Sequence, residues 1–178
     1  MKQNFFEKLI LRWSTISESK VLLESYLICI FVPLIFYLVP EWIMVSNGKI
    51  YREGLYDYSS GLLAILFAPI IETIFIFVPV LEFLKFCKIK PIWTILGFAM
   101  FFELLHTQRG FFHHLLLYPT MISMTVVYLS MRKKSFLHAL LFTGVVHEFY
   151  NFTVVMACLL YTSPSPRDYA ASRMPSSA

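Results

Sequence analysis

Residues 61–84 read GLLAILFAPIIETIFIFVPVLEFL, a run of 24 residues in which only Glu72 and Glu82 are charged. An α-helix needs about 20 mainly apolar residues to cross a hydrocarbon core of about 30 Å. The sequence therefore predicts an all-α fold, a polytopic transmembrane helical bundle of about five spans with the last one truncated. The other four apolar segments are residues 21–39, 91–106, 111–131 and 135–157.

The composition supports this prediction and narrows the functional classes. Hydrophobic residues make up 58% of the 178 residues, and charged residues make up 15%, against about 25% in ordinary soluble domains. That balance excludes an ordinary soluble enzyme, and it excludes a disordered chain, which needs low hydrophobicity and high charge. The net charge of +4 comes without a basic patch interleaved with aromatic residues, so nucleic acid is not an expected partner. The lipid bilayer is an expected partner.

The distribution of Lys and Arg between the apolar segments predicts an orientation. By the positive-inside rule, loops rich in Lys and Arg face the cytoplasm. We therefore expect a multi-pass protein of the bacterial inner membrane with a cytoplasmic N-terminus. The side of the membrane that is predicted to hold the N-terminus has ten basic residues: Lys2, Lys8, Arg12, Lys20, Lys85, Lys88, Lys90, Arg132, Lys133 and Lys134. The opposite side has three: Lys49, Arg52 and Arg109.

The chain divides into three regions. Residues 1–20 are polar and mixed in charge, which predicts an amphipathic segment lying on the membrane. Residues 21–157 form the predicted transmembrane domain, with the chemically informative part in 61–157. Residues 158–178 change character, and their reverse translation can be spelled as the mosaic end, barcode and flow-cell adapter of a short-read sequencing library. We interpret residues 158–178 as adapter read-through and not as native sequence.

A few polar side chains lie inside the apolar segments, where each is costly and is a functional hypothesis by default. Glu72 and His147 are each about a dozen residues into their segments, and His106 ends a third segment. His147 and Asn151 are four residues apart, so they share one helix face. Together these residues could supply a general base and an oxyanion donor. The same spacing fits equally well a buried polar network that holds helices together.

Three motifs, in this order, resemble those of the CPBP family, the CAAX proteases and bacteriocin-processing proteins that are also called abortive-infection proteins. They are Ala-Pro-Ile-Ile-Glu-Thr at 68–73, Phe102-x-x-x-His106 and His147-x-x-x-Asn151. The resemblance implies an intramembrane endopeptidase that acts on a peptide or protein substrate in bacteriocin maturation or self-immunity. It further implies that Glu72 activates water with the help of His106, and that His147 and Asn151 stabilise the oxyanion.

Two positions depart from the family's EExxxR motif. Thr73 stands where the family has a second Glu, and Phe77 stands where it has Arg. Because a nearby cation favours a carboxylate, we expect Phe77→Arg to favour the ionised form of Glu72. The resemblance implies a glutamic mechanism without a cofactor. A metal-dependent variant would bind a divalent cation through Glu72, His106 and His147.

Two alternatives stay open beside the peptidase. One is a catalytically silent family member that acts as an immunity or scaffold protein by binding a partner, and tightly packed polar side chains without water access would favour it. The other is a small transporter that uses the Glu and His residues as a proton relay. The absence of internal repeats in the sequence disfavours the transporter.

Overall fold

The computed structural model describes residues 3–37, 66–105 and 110–162. Over these ranges the secondary structure is helical, in agreement with the predicted all-α class. In chain order the elements are α1 (Phe5–Thr15), α2 (Glu18–Tyr37), α3 (Ala68–Glu72), a π-helical turn π1 (Thr73–Phe77), α4 (Val78–Phe86), α5 (Pro91–Leu104), α6 (Gly110–Met131) and α7 (Phe136–Thr162).

Helix α1 begins with a capping box and is tied to α2 by its other end. The Asn4 side chain accepts the backbone N–H of Glu7 at 2.9 Å, and the Glu7 carboxylate accepts the N–H of Asn4 at 3.1 Å, which satisfies two donors at the helix start. The buried Trp13 indole donates to Glu24 at 2.8 Å, and Arg12 pairs with the same carboxylate. The Arg12 guanidinium lowers the pKa of Glu24. The N-terminal helix is therefore packed on the bundle.

The helical stretch from residue 68 to residue 86 contains a π-helical turn in its middle. The backbone N–H of Val78 donates to the carbonyl of Thr73, five residues earlier. Pro79 has no N–H to donate into the preceding turn, and this loosens the α-helical hydrogen-bond ladder at the point where π1 ends. Isolated π turns inside α-helices are frequent at functional sites. This one begins directly after Glu72.

An aromatic cluster joins π1 to α5 and α6. Phe77 is fully buried, and its ring centroid lies 4.4 Å from that of Phe98, 6.3 Å from Phe102 and 6.4 Å from Tyr128, each in an edge-on arrangement. Edge-to-face pairs at these distances stabilise a core beyond the burial of their area. The cluster therefore fixes the orientation of the segment that carries Glu72 and Thr73.

Hydrogen bonds hold α7 against α2. The Thr153 hydroxyl donates to the Phe149 carbonyl at 2.8 Å, so it accepts the Tyr26 hydroxyl proton at 2.6 Å. The Tyr26 and Phe149 rings also lie 5.5 Å apart. Near the start of α7, His138 Nε2 lies 3.2 Å from the Glu18 carboxylate. Contacts at these two points along α7 set the position of His147 between them.

The prediction of a polytopic transmembrane bundle is wrong. Within the described ranges, no helix combines the length and the apolar content that crossing a membrane requires. Helix α5 has 14 residues, or about 21 Å at 1.5 Å per residue, and the segment predicted at 61–84 is divided among α3, π1 and α4 over its described part. The multi-pass inner-membrane localisation and the cytoplasmic N-terminus depended on those spans, and they are corrected with them.

Several predicted features concern positions outside the described ranges. The basic residues Lys49, Arg52 and Arg109 are among them, and so are residues 163–178 of the interpreted adapter sequence. Helix α7 continues to Thr162, four residues past the predicted boundary at 158. The helical backbone therefore does not end where the character of the sequence changes.

A partly buried, hydrogen-bonded cluster of Glu82, Tyr128 and Arg132 connects α4 to α6. Glu82 accepts hydrogen bonds from the Tyr128 hydroxyl at 2.6 Å and from Arg132 Nε and Nη2 at 2.7 and 3.2 Å. The Arg132 hydrogen bonds are the largest cause of the lowered pKa of Glu82. Burial, followed by the Glu82 carboxylate, raises the pKa of Tyr128. The carboxylate is thus stabilised in its ionised form by a bidentate partner.

We expect this cluster to make stability depend on pH at the acidic end. Folding lowers the pKa of Glu82 from its unfolded value, near 4.5. The ionised carboxylate therefore stabilises the folded protein at pH values above 4.5, and this contribution is lost as the pH falls through the lower pKa of the folded state. Because both side chains are about 30% exposed, the coupling should be about 1 kcal/mol. A double-mutant cycle with Glu82→Gln and Arg132→Gln, measured by chemical unfolding, checks it. A coupling energy that does not decrease below pH 4.5 would contradict this assignment.

Candidate functional site

The structure brings Glu72 and His147 into contact. Glu72 is the last residue of α3, and His147 lies in the middle of α7, which packs against α3 and π1. His147 Nε2 lies 3.5 Å from Glu72 Oε2, and the exposed fraction of the side chain is 4% for the imidazole and 28% for the carboxyl. The arrangement is an imidazole enclosed by protein behind a carboxyl that reaches solvent.

Thr73 contacts the other nitrogen of the same imidazole. Its Oγ1 lies 3.2 Å from His147 Nδ1, and Thr73 is buried at the start of π1. Both ring nitrogens of His147 are therefore in contact with side chains from adjacent positions, Thr73 on one side and Glu72 on the other. Hydroxyl, imidazole and carboxyl are thus in successive contact, an arrangement in which a proton can be held or moved.

Asn151 occupies the position that its spacing predicts. It lies one turn after His147 on the continuous helix α7, on the same face, and it is half-buried. An amide there is within one helical turn of the Glu72–His147 contact. His147 and Asn151 thus lie on one helix at the predicted spacing, and the oxyanion role of this pair stays a prediction.

His106 lies outside the part of the chain that the structure describes, so its predicted role stays a prediction. The other half of its motif is described: Phe102 is buried in the aromatic cluster with Phe77 and Phe98. Glu103, the next residue on α5, is also buried. The phenylalanine of the Phe102-x-x-x-His106 motif is thus a core residue.

The two departures from the family pattern have different structural meanings. Thr73 is a direct partner of the site histidine, a role that the sequence argument missed because it treated the residue only as a lost Glu. Phe77 is a core residue, so an arginine there would have to be buried among aromatic rings. The expectation that Phe77→Arg simply supplies a cation to Glu72 has to be replaced by an expectation of unfolding.

The predicted metal-binding set is incomplete in the described part of the chain. Over those residues, no group of three His, Cys, Asp or Glu side chains is placed to hold a metal ion. Glu72 and His147 could supply two ligands, and the third predicted ligand, His106, is not among the residues searched.

Comparison with known proteins does not test the resemblance to the CPBP family. No family of known proteins, no curated protein and no solved structure matches this chain. The comparisons therefore identify neither the CPBP family nor a hydrolase or protease.

Proposed function

We propose that this chain is a CPBP-like peptidase in which Glu72 is the general base and His147 is its supporting imidazole. The observation that carries the proposal is the 3.5 Å contact between Glu72 Oε2 and His147 Nε2. The carboxyl is partly open to water and to a substrate, whereas the imidazole is enclosed. A general base must be accessible to the water molecule that it deprotonates, and a neighbouring group must hold its orientation.

The proposed reaction is hydrolysis of a peptide bond by water. The Glu72 carboxylate takes a proton from a water molecule, whose oxygen attacks the carbonyl carbon of the substrate. The carbonyl electron pair moves to the oxygen, and the Asn151 amide is the proposed donor to that oxyanion. The oxyanion electron pair then re-forms the C=O bond as the C–N bond breaks, the C–N electron pair goes to the nitrogen, and Glu72 returns the proton to the leaving amine.

His147 contributes by orienting Glu72 and by stabilising its charge. An Nε2–H directed at Oε2 orients the Glu72 carboxylate, whose side chain is 28% exposed and therefore has access to water. Because the imidazole is enclosed, water has little access to replace it at the carboxylate, and a charge-assisted interaction there is stronger than in water.

The test is peptide hydrolysis by the full chain and by His147→Ala. We expect the variant to lose about 100-fold or more in kcat, since positioned acid–base groups contribute roughly that much. His138→Ala is the matched control because it makes the same change on the same helix at a position that contacts Glu18 at the protein surface. Equal turnover by wild type and His147→Ala would refute the proposed role.

A chelator separates the two versions of the mechanism. Hydrolysis by the glutamic mechanism should be unchanged in the presence of EDTA. Loss of activity in EDTA, with recovery on adding a divalent cation, would instead favour the metal-dependent variant, in which Glu72, His106 and His147 hold the ion.

A second candidate is the catalytically silent relative that works by binding a partner. It is favoured by the burial of Thr73 and His147 against each other. Glu72 is the most exposed side chain of the three. Under this reading, wild type shows no turnover and Glu72→Gln binds the partner as wild type does.

A further inference from the structure

Thr73 is the least expected member of the site. Its hydroxyl oxygen lies 3.2 Å from His147 Nδ1, on the opposite side of the ring from Glu72. We propose that Thr73 is a positioning residue whose hydroxyl donates to Nδ1 and thereby directs the ring proton of His147, on Nε2, toward Glu72. The catalytic importance of Thr73 rests on the proposed function. Its effect on the His147 ring can be tested without any turnover.

A neutral imidazole has two possible tautomers. One ring nitrogen carries a proton and donates, and the other has a lone pair and accepts. If the proton were on Nδ1, the lone pair of Nε2 would face the ionised carboxylate of Glu72, which is repulsive. With the proton on Nε2, that nitrogen donates to Glu72, and Nδ1 needs a donor. A hydroxyl meets this need, whereas a carboxylate at position 73 could only accept.

Thr73 also selects one of the two flipped orientations of the His147 imidazole. Rotation of the imidazole by half a turn would exchange each ring nitrogen with a ring carbon and remove Nε2 from Glu72. A donor at Nδ1 opposes this rotation, because the rotated ring would leave the Thr73 hydroxyl against a C–H group. Thr73 is buried, so packing limits the rotation of its side chain.

Burial makes the hydroxyl hard to replace. Thr73 is 1% exposed and His147 is 3% exposed, so water has little access to substitute for a missing donor. A buried acceptor that loses its donor is destabilised, because it pays the cost of desolvation without a compensating hydrogen bond. Position 73 is also where π1 begins, and Phe77 at the other end of π1 is anchored in the aromatic cluster.

The experiment is nitrogen NMR of the His147 ring in the full chain, recorded at a pH where the ring nitrogens show the neutral form. Wild type and Thr73→Ser should each show one tautomer, with the proton on Nε2 and a hydrogen-bonded Nδ1. Thr73→Val removes the donor at nearly constant volume. Loss of one hydrogen bond of about 1 kcal/mol should change the tautomer ratio about five-fold, seen as a second or averaged set of ring signals.

The matched control is Thr143→Val. Thr143 is fully buried on α7, one turn before His147, and its Oγ1 has no hydrogen-bond partner within the described ranges. The same chemical change there should leave the His147 ring signals as in wild type. If Thr143→Val changes them as much as Thr73→Val, the effect is general loosening and the proposal is overturned. A wild-type proton on Nδ1, or unchanged signals in Thr73→Val, would also overturn it.

Kinetics give the second readout. Thr73→Val should lower kcat about five- to ten-fold with KM unchanged, and Thr73→Ser should restore it. If the NMR result is as expected but wild type hydrolyses no peptide, the proposed function fails and the positioning of His147 by Thr73 stands. If wild type is active and Thr73→Val keeps a single tautomer and full kcat, the proposed function stands and the role of Thr73 fails.

Discussion

Glu72→Gln should lower kcat for peptide hydrolysis by about 100- to 10,000-fold, the range that a general base contributes. The amide keeps the size and one hydrogen-bonding oxygen of the carboxyl, so His147 Nε2 still has an acceptor, but it cannot take a proton from water. The loss should therefore appear in kcat with little change in KM. The measurement is steady-state turnover of one peptide by both proteins.

Glu148→Gln is the matched control for this change. Glu148 follows His147 directly on α7, and consecutive helix residues point about 100° apart, so the same substitution is made beside the site but away from the Glu72 contact. Thermal unfolding of both variants should match wild type, because Glu72 is partly exposed. Turnover by Glu72→Gln equal to that of wild type would overturn the peptidase proposal.

Phe77→Ala should lower the free energy of unfolding by about 3–5 kcal/mol, the usual cost of truncating a buried Phe. The side chain is fully buried, and its ring contacts those of Phe98, Phe102 and Tyr128. The truncation leaves a cavity where π1, α5 and α6 meet, and it removes three edge-on ring contacts. Urea unfolding at equilibrium measures the effect.

Phe75→Ala is the control, since it makes the same change two residues earlier in π1 at a side chain that is 72% exposed. It should change stability by less than about 0.5 kcal/mol. Phe77→Arg should destabilise at least as much as Phe77→Ala, because a buried guanidinium without a partner is costly. A folded Phe77→Arg protein with stability near wild type would show that position 77 is not part of the core.

The helical class and the two residues that meet at the candidate site, Glu72 and His147, could be predicted from the sequence alone. Apolar segments of about twenty residues predicted helices, and the described residues are helical. A carboxyl and an imidazole placed deep in apolar segments are costly unless they face one another or a cavity, and Glu72 and His147 do contact each other. The i,i+4 spacing was enough to place Asn151 on the face of α7 that carries His147.

The membrane spans could not be predicted correctly from hydropathy, because a window of apolar residues does not show where one helical element ends and the next begins. The run at 61–84 was treated as one helix, whereas Pro79 and the hydrogen bond from Val78 to Thr73 divide its described part at π1. An aromatic run such as that around Phe77 also has the same composition whether its rings face lipid or each other.

Only the tertiary structure decided the roles of Thr73 and Phe77. In the sequence both are departures from one motif, at positions one and five residues after Glu72. Packing separates them, since Thr73 reaches Nδ1 of a histidine 74 residues away and Phe77 enters a cluster built from α5 and α6. Contacts between distant parts of a chain depend on how helices pack, and local spacing carries no information about that. The sequence alone thus determined which groups could do chemistry, and packing decided which nitrogen of His147 each of them meets.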